Sequence, residues 1–357
     1  MAENSDQEAS PSFAQTRLAE RHALAIAIGL AGRRIACTTL GRAQAAIEIA
    51  RQRPTASVAC WFLDQYQQRL AQNSQSELPP NLSLRCQADL PDGAIDLAVL
   101  PFSKQGEAEL TRETLQTACQ RLELGGTLVA TVDNPNDRWL REQIAELFSK
   151  VTVRQFDDAT VYIARKAAEP RKTRDFRCEF VYRDFDRLIK GVSRPGVFSH
   201  RHIDPGARQL LAAATVRPGM RVLDLGCGAG TVGLALAARD PRIAVHAVDS
   251  NARAIECTLA GAALNGLENV TAELNAQGDY AHAGTFDLAV ANPPYYADFR
   301  IAEHFLAAAH RALRPGGRIL LVAKHPEWYE ETMPELWDEV DHWPSKRYHL
   351  ISATRPE

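Results

Sequence analysis

Short apolar runs alternate with helical stretches along the whole chain. In the first half, strand-like runs lie at 34–39, 57–63, 96–100 and 127–132, and helical patterns lie at 42–51, 64–73 and 107–122. In the second half, strand-like runs lie at 221–225, 243–249, 288–291 and 318–323, helical patterns at 299–313 and 328–337, and a closing antiparallel pair at 340–342 and 348–353. Buried apolar strands that alternate with helices are typical of a mostly parallel α/β sheet.

The two halves repeat one plan. The tetrapeptide Asp-Leu-Ala-Val occurs at 96–99 and again at 287–290, and a Gly-Gly turn follows 29 residues after each aspartate, at 125 and at 316. A fixed spacing between two separate features is unlike a chance match of four residues. The sequence therefore predicts two tandem Rossmann-like α/β domains, each a mostly parallel sheet with helices on both faces.

The copies differ at the carboxyl ends of the strands, where open α/β sheets bind their ligands. The first strand of the second copy leads into a glycine-rich turn with Gly226, Gly228 and Gly230, where the first copy has Thr39, Gly41 and Ala43. After the fourth strand, the second copy has Asn-Pro-Pro-Tyr at 292–295 and the first has Pro-Phe-Ser-Lys at 101–104. We expect that the first copy is degenerate and keeps the scaffold without the site.

Composition excludes several classes of protein. The chain has 357 residues, a formal net charge of −3, and seven cysteines, none of them in a Cys-x-x-Cys pair. These numbers argue against a disulfide framework or a zinc site, and they give no global attraction to nucleic acid. The apolar stretch 23–30 is too short to span a membrane, and residues 1–12 are polar and predict a disordered tail. We expect a cytoplasmic monomer that needs no metal and no membrane.

The glycine turn of the second copy suits a cofactor other than a dinucleotide. Its third glycine comes one residue too early for Gly-x-Gly-x-x-Gly, and the acid Asp224 precedes the turn. Such a carboxylate can pair with an ammonium group, and Asp249, at the end of the next strand, can accept both hydroxyls of a ribose. Together these features predict S-adenosylmethionine (SAM), which has an ammonium group and no pyrophosphate. The alternatives are a helix cap at Asp224 and an ordinary turn at Asp249.

Asn292-Pro293-Pro294-Tyr295 forms a stiff corner at the end of a buried strand. Pro293 restricts Asn292 to extended geometry, and neither proline has a backbone N–H to donate. The asparagine oxygen and a proline carbonyl can each accept one hydrogen of a planar NH2 group, while Tyr295 stacks on that group. The other interpretation is a polar strand-to-loop turn.

Residues 165–194 are strongly basic, with ten Lys or Arg against five Asp or Glu, and aromatic residues are interleaved. Two interpretations remain open. The segment is either a solvated linker with a few packed aromatic side chains, or a basic strip that follows a phosphate backbone.

The second copy resembles class I SAM-dependent methyltransferases of the Asn-Pro-Pro-Tyr type. More narrowly, Gly196-Val197-Phe198-Ser199 and then Asp204 before a helix resemble the bacterial ribosomal RNA guanine-N2 methyltransferases. That family also carries a degenerate N-terminal copy of the fold. The chain departs from its pattern after Asp204, where a Gly-Ser pair is common, and after Tyr295, where Phe-His-x-Gly is common.

Together with the composition and the repeat, the resemblance implies four segments: the tail at 1–12, the degenerate domain at 13–166, a basic linker at 167–195 and the catalytic domain at 196–357. It implies methyl transfer from SAM to the exocyclic N2 of a guanosine in ribosomal RNA, with rRNA or a ribosomal subunit as partner. The expected site residues are catalytic Asn292, Pro293, Pro294 and Tyr295, and cofactor-binding Phe198, Asp224, Gly226, Cys227, Gly228, Gly230, Asp249 and Asn292. The same corner also serves enzymes that methylate protein glutamine or adenine N6. A non-catalytic RNA-binding factor is the remaining alternative.

Overall fold

The computed structural model describes residues 16–74, 76–280, 282–294 and 299–357. The predicted tail at 1–12 and the predicted site residue Tyr295 lie outside these ranges. The chain divides into two compact units, Met1–Phe176 and Arg177–Glu357.

The first unit contains one seven-stranded sheet with helices beside it. Its elements are α1 (Leu18–Ala27), β1 (Arg34–Cys37), α2 (Gln44–Gln52), β2 (Ser57–Phe62), α3 (Gln65–Gln72), β3 (Leu82–Cys86), β4 (Ile95–Phe102), α4 (Ala108–Arg121), β5 (Leu122–Val132), α5 (Trp139–Ala145), β6 (Val151–Gln155) and β7 (Thr160–Arg165). The strand order is β3-β2-β1-β4-β5-β7-β6, and only the pairs that involve β7 are antiparallel.

The second unit starts with a two-stranded hairpin and continues with a second seven-stranded sheet. Its elements are β8 (Cys178–Asp184), β9 (Arg187–Ser193), α6 (Pro205–Ala213), β10 (Arg221–Leu225), α7 (Thr231–Arg239), β11 (Ala244–Asp249), α8 (Ala252–Asn265), β12 (Val270–Leu274), β13 (Phe286–Ala291), α9 (Arg300–Ala312), β14 (Leu313–Ala323), α10 (Glu327–Thr332), a 3₁₀ turn (Met333–Glu335), β15 (Asp338–Ser345) and β16 (Tyr348–Thr354). Its strand order is β12-β11-β10-β13-β14-β16-β15.

The two strand orders are the same, element for element, and even an irregularity recurs. The register shifts between Ile95 and Leu97 in β4 and between Phe286 and Leu288 in β13, where each strand meets the long strand after it. In both sheets, alternate side chains pack on opposite faces, as Leu223 and Val222 do in the second unit. This duplication confirms the predicted fold class.

The repeated aspartate has a structural role in each sheet. The side chain of Asp96 accepts the backbone N–H of Arg34 at 2.9 Å, and that of Asp287 accepts the N–H of Arg221 at 2.8 Å. Each bond ties the start of the central strand to its neighbour. The Gly-Gly turns recur because a Cβ on Gly317 would lie 2.8 Å from the carbonyl oxygen of Arg314, which leaves no space for a side chain.

The segment interpreted as a linker over 167–195 is mostly folded. Residues 178–193 form the β8–β9 hairpin, which belongs to the second unit, so that only a shorter stretch joins the two units. Tyr182 is buried and its hydroxyl donates to the carbonyl oxygen of Thr231 at 2.6 Å. Asp184 forms a two-pronged ion pair with Arg239 at 2.8 and 3.0 Å. The basic composition of this segment hid the alternation of buried and exposed positions.

Within the described ranges, no helix has the length and apolar character needed to cross a membrane. The seven cysteines all lie in these ranges as free thiols.

Candidate active site

The loop between β10 and α7 brings backbone close to the space above the sheet. Gly226, Gly228 and Gly230 all have left-handed φ values, of 68°, 55° and 71°. A side chain is excluded at two of them, since a Cβ on Gly226 would lie 2.9 Å from the Phe305 ring and one on Gly230 would lie 2.7 Å from the hydroxyl oxygen of Thr258. The N–H groups of Gly226 and Cys227 donate to the carbonyl oxygen of Val248, which fixes the loop against β11.

Two carboxylates flank this loop. Asp224 is buried, and its Oδ2 accepts the N–H of Gly233 in the first turn of α7 at 2.8 Å. Burial raises the pKa of Asp224 to about 7, and the nearby charge of Asp249 acts in the same direction. Asp249 accepts the N–H of Gly228 through Oδ2 at 2.9 Å and that of Asn251 through Oδ1 at 2.8 Å. Asp249 therefore fixes the backbone of the glycine loop directly.

The Gly-Val-Phe-Ser segment at 196–199 is held beside the loop by the start of α8. Asn251 caps α8 and donates from Nδ2 to the carbonyl oxygen of Gly196 at 2.6 Å. The buried Arg253 donates to the carbonyl oxygen of Pro195 at 2.7 Å. Phe198, by contrast, keeps 63% of its surface exposed. The backbone of the segment is thus fixed while its aromatic ring faces solvent.

Asn292 follows the last residue of β13, at the carboxyl edge of the sheet. Its Nδ2 donates to Oδ2 of Asp204 at 2.9 Å. The same Asp204 oxygen caps α6 by accepting the N–H groups of Gly206 and Ala207. Asn292 is therefore joined to a helix that lies far from it in the sequence. Pro293 and Pro294 follow it, outside any helix or strand.

One pocket is lined by residues of the glycine loop, the 196–199 segment, the start of α6 and the end of β13. It is lined by Phe198, Ser199, His202, Asp204, Ala207, Asp224, Gly226, Cys227, Gly228, Ala229, Thr231, Val232 and Asn292. Six of the residues predicted from the sequence are in this wall. Of the others, Gly230 precedes α7, Asp249 holds the backbone of Gly228, and Pro293 and Pro294 are outside the lining.

The sequence did not point to several residues of the wall. The sequence identifies Asp204 only as the residue before a helix, because its contact with Asn292 spans 88 residues. Ala207 and Val232 have small or apolar side chains, which cannot be told apart from core residues in the sequence. Asn251 and Arg253 do not line the pocket but hold the 195–196 backbone that leads to it. The asparagine two residues after Asp249, at the end of β11, was the one sequence feature that could have indicated them.

Two histidines and a cysteine lie at or beside the pocket. Nδ1 of His200 forms a hydrogen bond of 2.8 Å with the hydroxyl of Ser193, whereas His202 is exposed at the pocket. Burial raises the pKa of the Cys227 thiol well above its usual range, which disfavours a reactive thiolate. In the part of the chain that the structure describes, no group of three or more His, Cys, Asp or Glu residues is arranged to hold a metal ion.

In the first unit, the equivalent space is filled from within. Glu20 is the third residue of α1, as Ala207 is of α6. Glu20 is fully buried, and its Oε1 accepts the hydroxyl of Thr39 and the N–H of Leu40, at 2.6 Å, in the loop after β1. Burial raises the pKa of Glu20. The first unit thus has a long acidic side chain against this loop, at the helix position where the second unit has Ala207 in its pocket wall.

Known proteins resemble this chain at two levels. Residues 189–352 match the family model described as "Methyltransferase small domain". The ribosomal RNA small subunit methyltransferase C of Chromohalobacter salexigens is 34% identical over 175 residues, which cover 46% of this chain and 50% of that protein. The protein of the same name from Pseudomonas entomophila is 37% identical over 142 residues, which cover 39% and 42%. The matches thus span about half the length of these relatives.

One solved structure is similar over nearly the whole chain. It is the T. thermophilus 16S rRNA N2 G1207 methyltransferase (RsmC) in complex with AdoMet and guanosine, with a TM-score of 0.77 and 24% identity. The similarity covers 94% of this chain and 91% of that one, and it shows a shared fold. The family match coincides with the second unit, which holds the glycine loop, so that residues 189–352 are the part of the chain that is similar to the methyltransferase small domain family.

Proposed function

We propose that this protein transfers a methyl group from SAM to the exocyclic N2 of a guanosine in ribosomal RNA. The observation that carries the proposal is the placement of Asn292 in the same pocket wall as Asp224 and the glycine loop. The side chain that would accept the amine hydrogens and the loop that would bind the charged cofactor therefore line the same pocket. The name and bound molecules of the T. thermophilus structure support the same substrate, and G1207 of 16S rRNA is the first target to test.

The residues present fit SAM. The left-handed glycines leave backbone N–H and C=O groups without side chains in the way, and Asp224 offers a buried carboxylate for the ammonium group. Asp249 would take the ribose hydroxyls, and Phe198 would cover the cofactor, while Gly226, Cys227, Gly228 and Gly230 shape the cradle. When bound, SAM supplies an electrophilic methyl group on its sulfonium.

The protein's task is then to position a weak nucleophile. The lone pair of a guanine N2 is delocalised into the ring, so an acceptor for the amine hydrogens is needed to localise it. Asn292 and the carbonyl of Pro293 would serve as acceptors and stabilise the positive charge that develops on nitrogen. Pro294 stiffens the corner, and Tyr295 would stack on a guanine that is unpaired or flipped out. No strong base is needed, because the amine becomes acidic only as the methyl arrives.

We further propose that the protein acts as a monomer in the cytoplasm, without a metal, and that the second unit alone carries the catalytic residues. The filled loop of the first unit supports a single cofactor site in each chain. Methylation of a protein glutamine or of adenine N6 is the runner-up activity, because these amines would fit the same acceptors.

The test is methyl transfer from radiolabelled SAM to small ribosomal subunits and to 16S rRNA that lack the modification. We expect label in rRNA that digests to N2-methylguanosine, and at least a hundredfold less with Asn292→Ala. Label in protein would favour the glutamine substrate, and label in N6-methyladenosine the adenine one. Absence of SAM binding would support the non-catalytic RNA-binding factor.

A further inference from the structure

Asp204 does more than cap its helix. One oxygen, Oδ2, accepts three hydrogen bonds: from Gly206 N at 2.7 Å, from Ala207 N at 3.2 Å and from Asn292 Nδ2 at 2.9 Å. The first two are the usual bonds of an N-cap. The third joins that cap to the side chain we assign to the target amine.

This contact determines which end of the Asn292 carboxamide, the NH2 group or the oxygen, faces Asp204. An ionised carboxylate can only accept hydrogen bonds, so the atom that faces Asp204 must be the NH2 group and not the oxygen. The carbonyl oxygen of Asn292 is therefore the end of the carboxamide that does not bond to Asp204. If the carboxamide were reversed, its NH2 group would face the NH2 group of guanine, donor against donor.

Gly206, in the first turn of α6, leaves room for the contact between Asp204 and Asn292. A Cβ on Gly206 would lie 2.8 Å from Asp204 Oδ2 and 3.1 Å from Asn292 Oδ1. A glycine at a helix start is unfavourable for the helix itself. Its presence here is explained by the close approach of the side chains of Asp204, Asn292 and Val322.

We propose that Asp204 is a positioning residue that selects the catalytic orientation of Asn292 and polarises its carboxamide toward the target amine. The inference rests on the proposed function. A hydrogen-bond acceptor on the NH2 end increases the electron density on the oxygen, because hydrogen-bonded groups polarise one another. The oxygen then accepts the amine hydrogens more strongly as positive charge develops on the nitrogen.

Two substitutions separate the positioning role from the capping role. Asp204→Ser keeps a good cap, since serine is among the preferred N-cap residues, but its short side chain cannot reach Asn292. Asp204→Asn keeps both the cap and an oxygen at the same distance. Asp64, which caps α3 in the first unit by accepting the N–H of Gln67 at 2.9 Å, provides the matched control Asp64→Ser.

The experiment measures single-turnover methylation of rRNA at saturating SAM and RNA, together with the KM for RNA and the Kd for SAM. We expect Asp204→Ser to lower the maximal rate by about 10- to 100-fold, with KM and Kd changed by less than about threefold. Asp204→Asn should recover the rate to within about fivefold of wild type, and Asp64→Ser should leave it unchanged. In a further variant, Gly206→Ala, the rate should fall although the helix gains a better helix former.

A readout that needs no substrate accompanies the kinetics. In the ¹⁵N-labelled protein, the side-chain amide of Asn292 should show a downfield, exchange-protected proton in wild type and in Asp204→Asn, which Asp204→Ser should lose. A wild-type rate for Asp204→Ser, or equal losses for the serine and asparagine variants, would overturn the proposal. Failure of the wild-type protein to methylate any guanosine would instead overturn the proposed function, so the two failures are distinguishable.

Discussion

Ala43 and Gly230 hold the same left-handed conformation at the same place in the two units. Each immediately precedes the helix that follows the central strand, with φ of 60° for Ala43 and 71° for Gly230. An alanine rarely adopts this conformation, which costs about 1–2 kcal/mol relative to a right-handed one. The first unit has therefore kept the backbone of a ligand loop while losing the glycine that made it easy to form.

Exchanging these residues should have unequal effects. In Gly230→Ala the left-handed strain adds to a contact of the new Cβ with Thr258, and we expect the free energy of unfolding to fall by about 2 kcal/mol or more. In Ala43→Gly relief of strain is offset by the loss of a buried methyl group, so the change should stay within about 1 kcal/mol. Urea unfolding followed by tryptophan fluorescence measures both.

The pair of variants has its own control. Adding Thr258→Ala to Gly230→Ala removes the hydroxyl and methyl groups that a Cβ would meet, so part of the lost stability should return. An equal loss in the single and double variants would show that the left-handed backbone, and not the crowding, determines the cost.

The SAM affinity should depend on the ionisation of Asp224. Its pKa of about 7 means that the group is largely protonated at pH 6 and ionised at pH 8. A cationic ligand needs the ionised form, so the Kd should fall by about tenfold between these pH values. Isothermal titration across this range is the measurement. Asp224→Asn should bind more weakly and without this pH dependence, and a flat profile in wild type would contradict the assignment.

Asp224 should also reduce stability at high pH. Its folded pKa lies above the ordinary aspartate value of 3.8, so its stabilising contribution is complete below that value and is lost as pH rises through about 7. Asp224→Asn removes the titrating group and keeps an acceptor for Gly233. The variant should therefore be more stable than wild type at pH 8, by up to about 4 kcal/mol, and similar near pH 4. Chemical denaturation at both pH values tests this.

Asp96 should behave in the opposite way. Its hydrogen bond with Arg34 lowers the pKa of this carboxyl to about 2, so its contribution is present above about pH 4 and is lost as pH falls toward 2. Asp96→Ala should destabilise the first unit by about 1 kcal/mol at neutral pH, where the N–H of Arg34 loses its acceptor. The difference between variant and wild type should shrink on acidification. A constant difference down to pH 2 would contradict the role given to this bond.

Each chain should bind a single SAM molecule. Because Glu20 fills the loop of the first unit, calorimetry should give a stoichiometry of one for wild type. Glu20→Ala removes the acceptor of Thr39 and Leu40 and should lower the free energy of unfolding by about 2–4 kcal/mol. Its stoichiometry should stay at one, because the first loop has Cys37 and Thr39 where the second has Asp224 and Gly226. A stoichiometry of two in either protein would mean that the first loop can bind the cofactor.

The sequence indicated much of the fold because the central strands are apolar and regularly spaced, and the repeated Asp-Leu-Ala-Val marked the same bond in both sheets. The glycine loop was found because three closely spaced glycines follow a buried strand, and Asn292 because two consecutive prolines follow it at the end of another. Asp204 was not found, because its helix cap already accounts for the residue locally. Glu20 was missed because no helix was predicted at 18–27, so that nothing indicated which of its side chains would be buried. The edge strand β3 was missed because it is only half buried.

The β8–β9 hairpin decides where a working fragment of this protein can begin. A fragment cut at Gly196 would lack Tyr182 and Asp184, and with them the anchors for the first residue of α7, Thr231, and for the last, Arg239. The helix whose first turn supports Asp224 would then lose the hydrogen bond at its first residue and the ion pair at its last. A gene fusion or transplanted domain should therefore start at or before Arg177. The hairpin is then a structural part of the fragment that carries the proposed site.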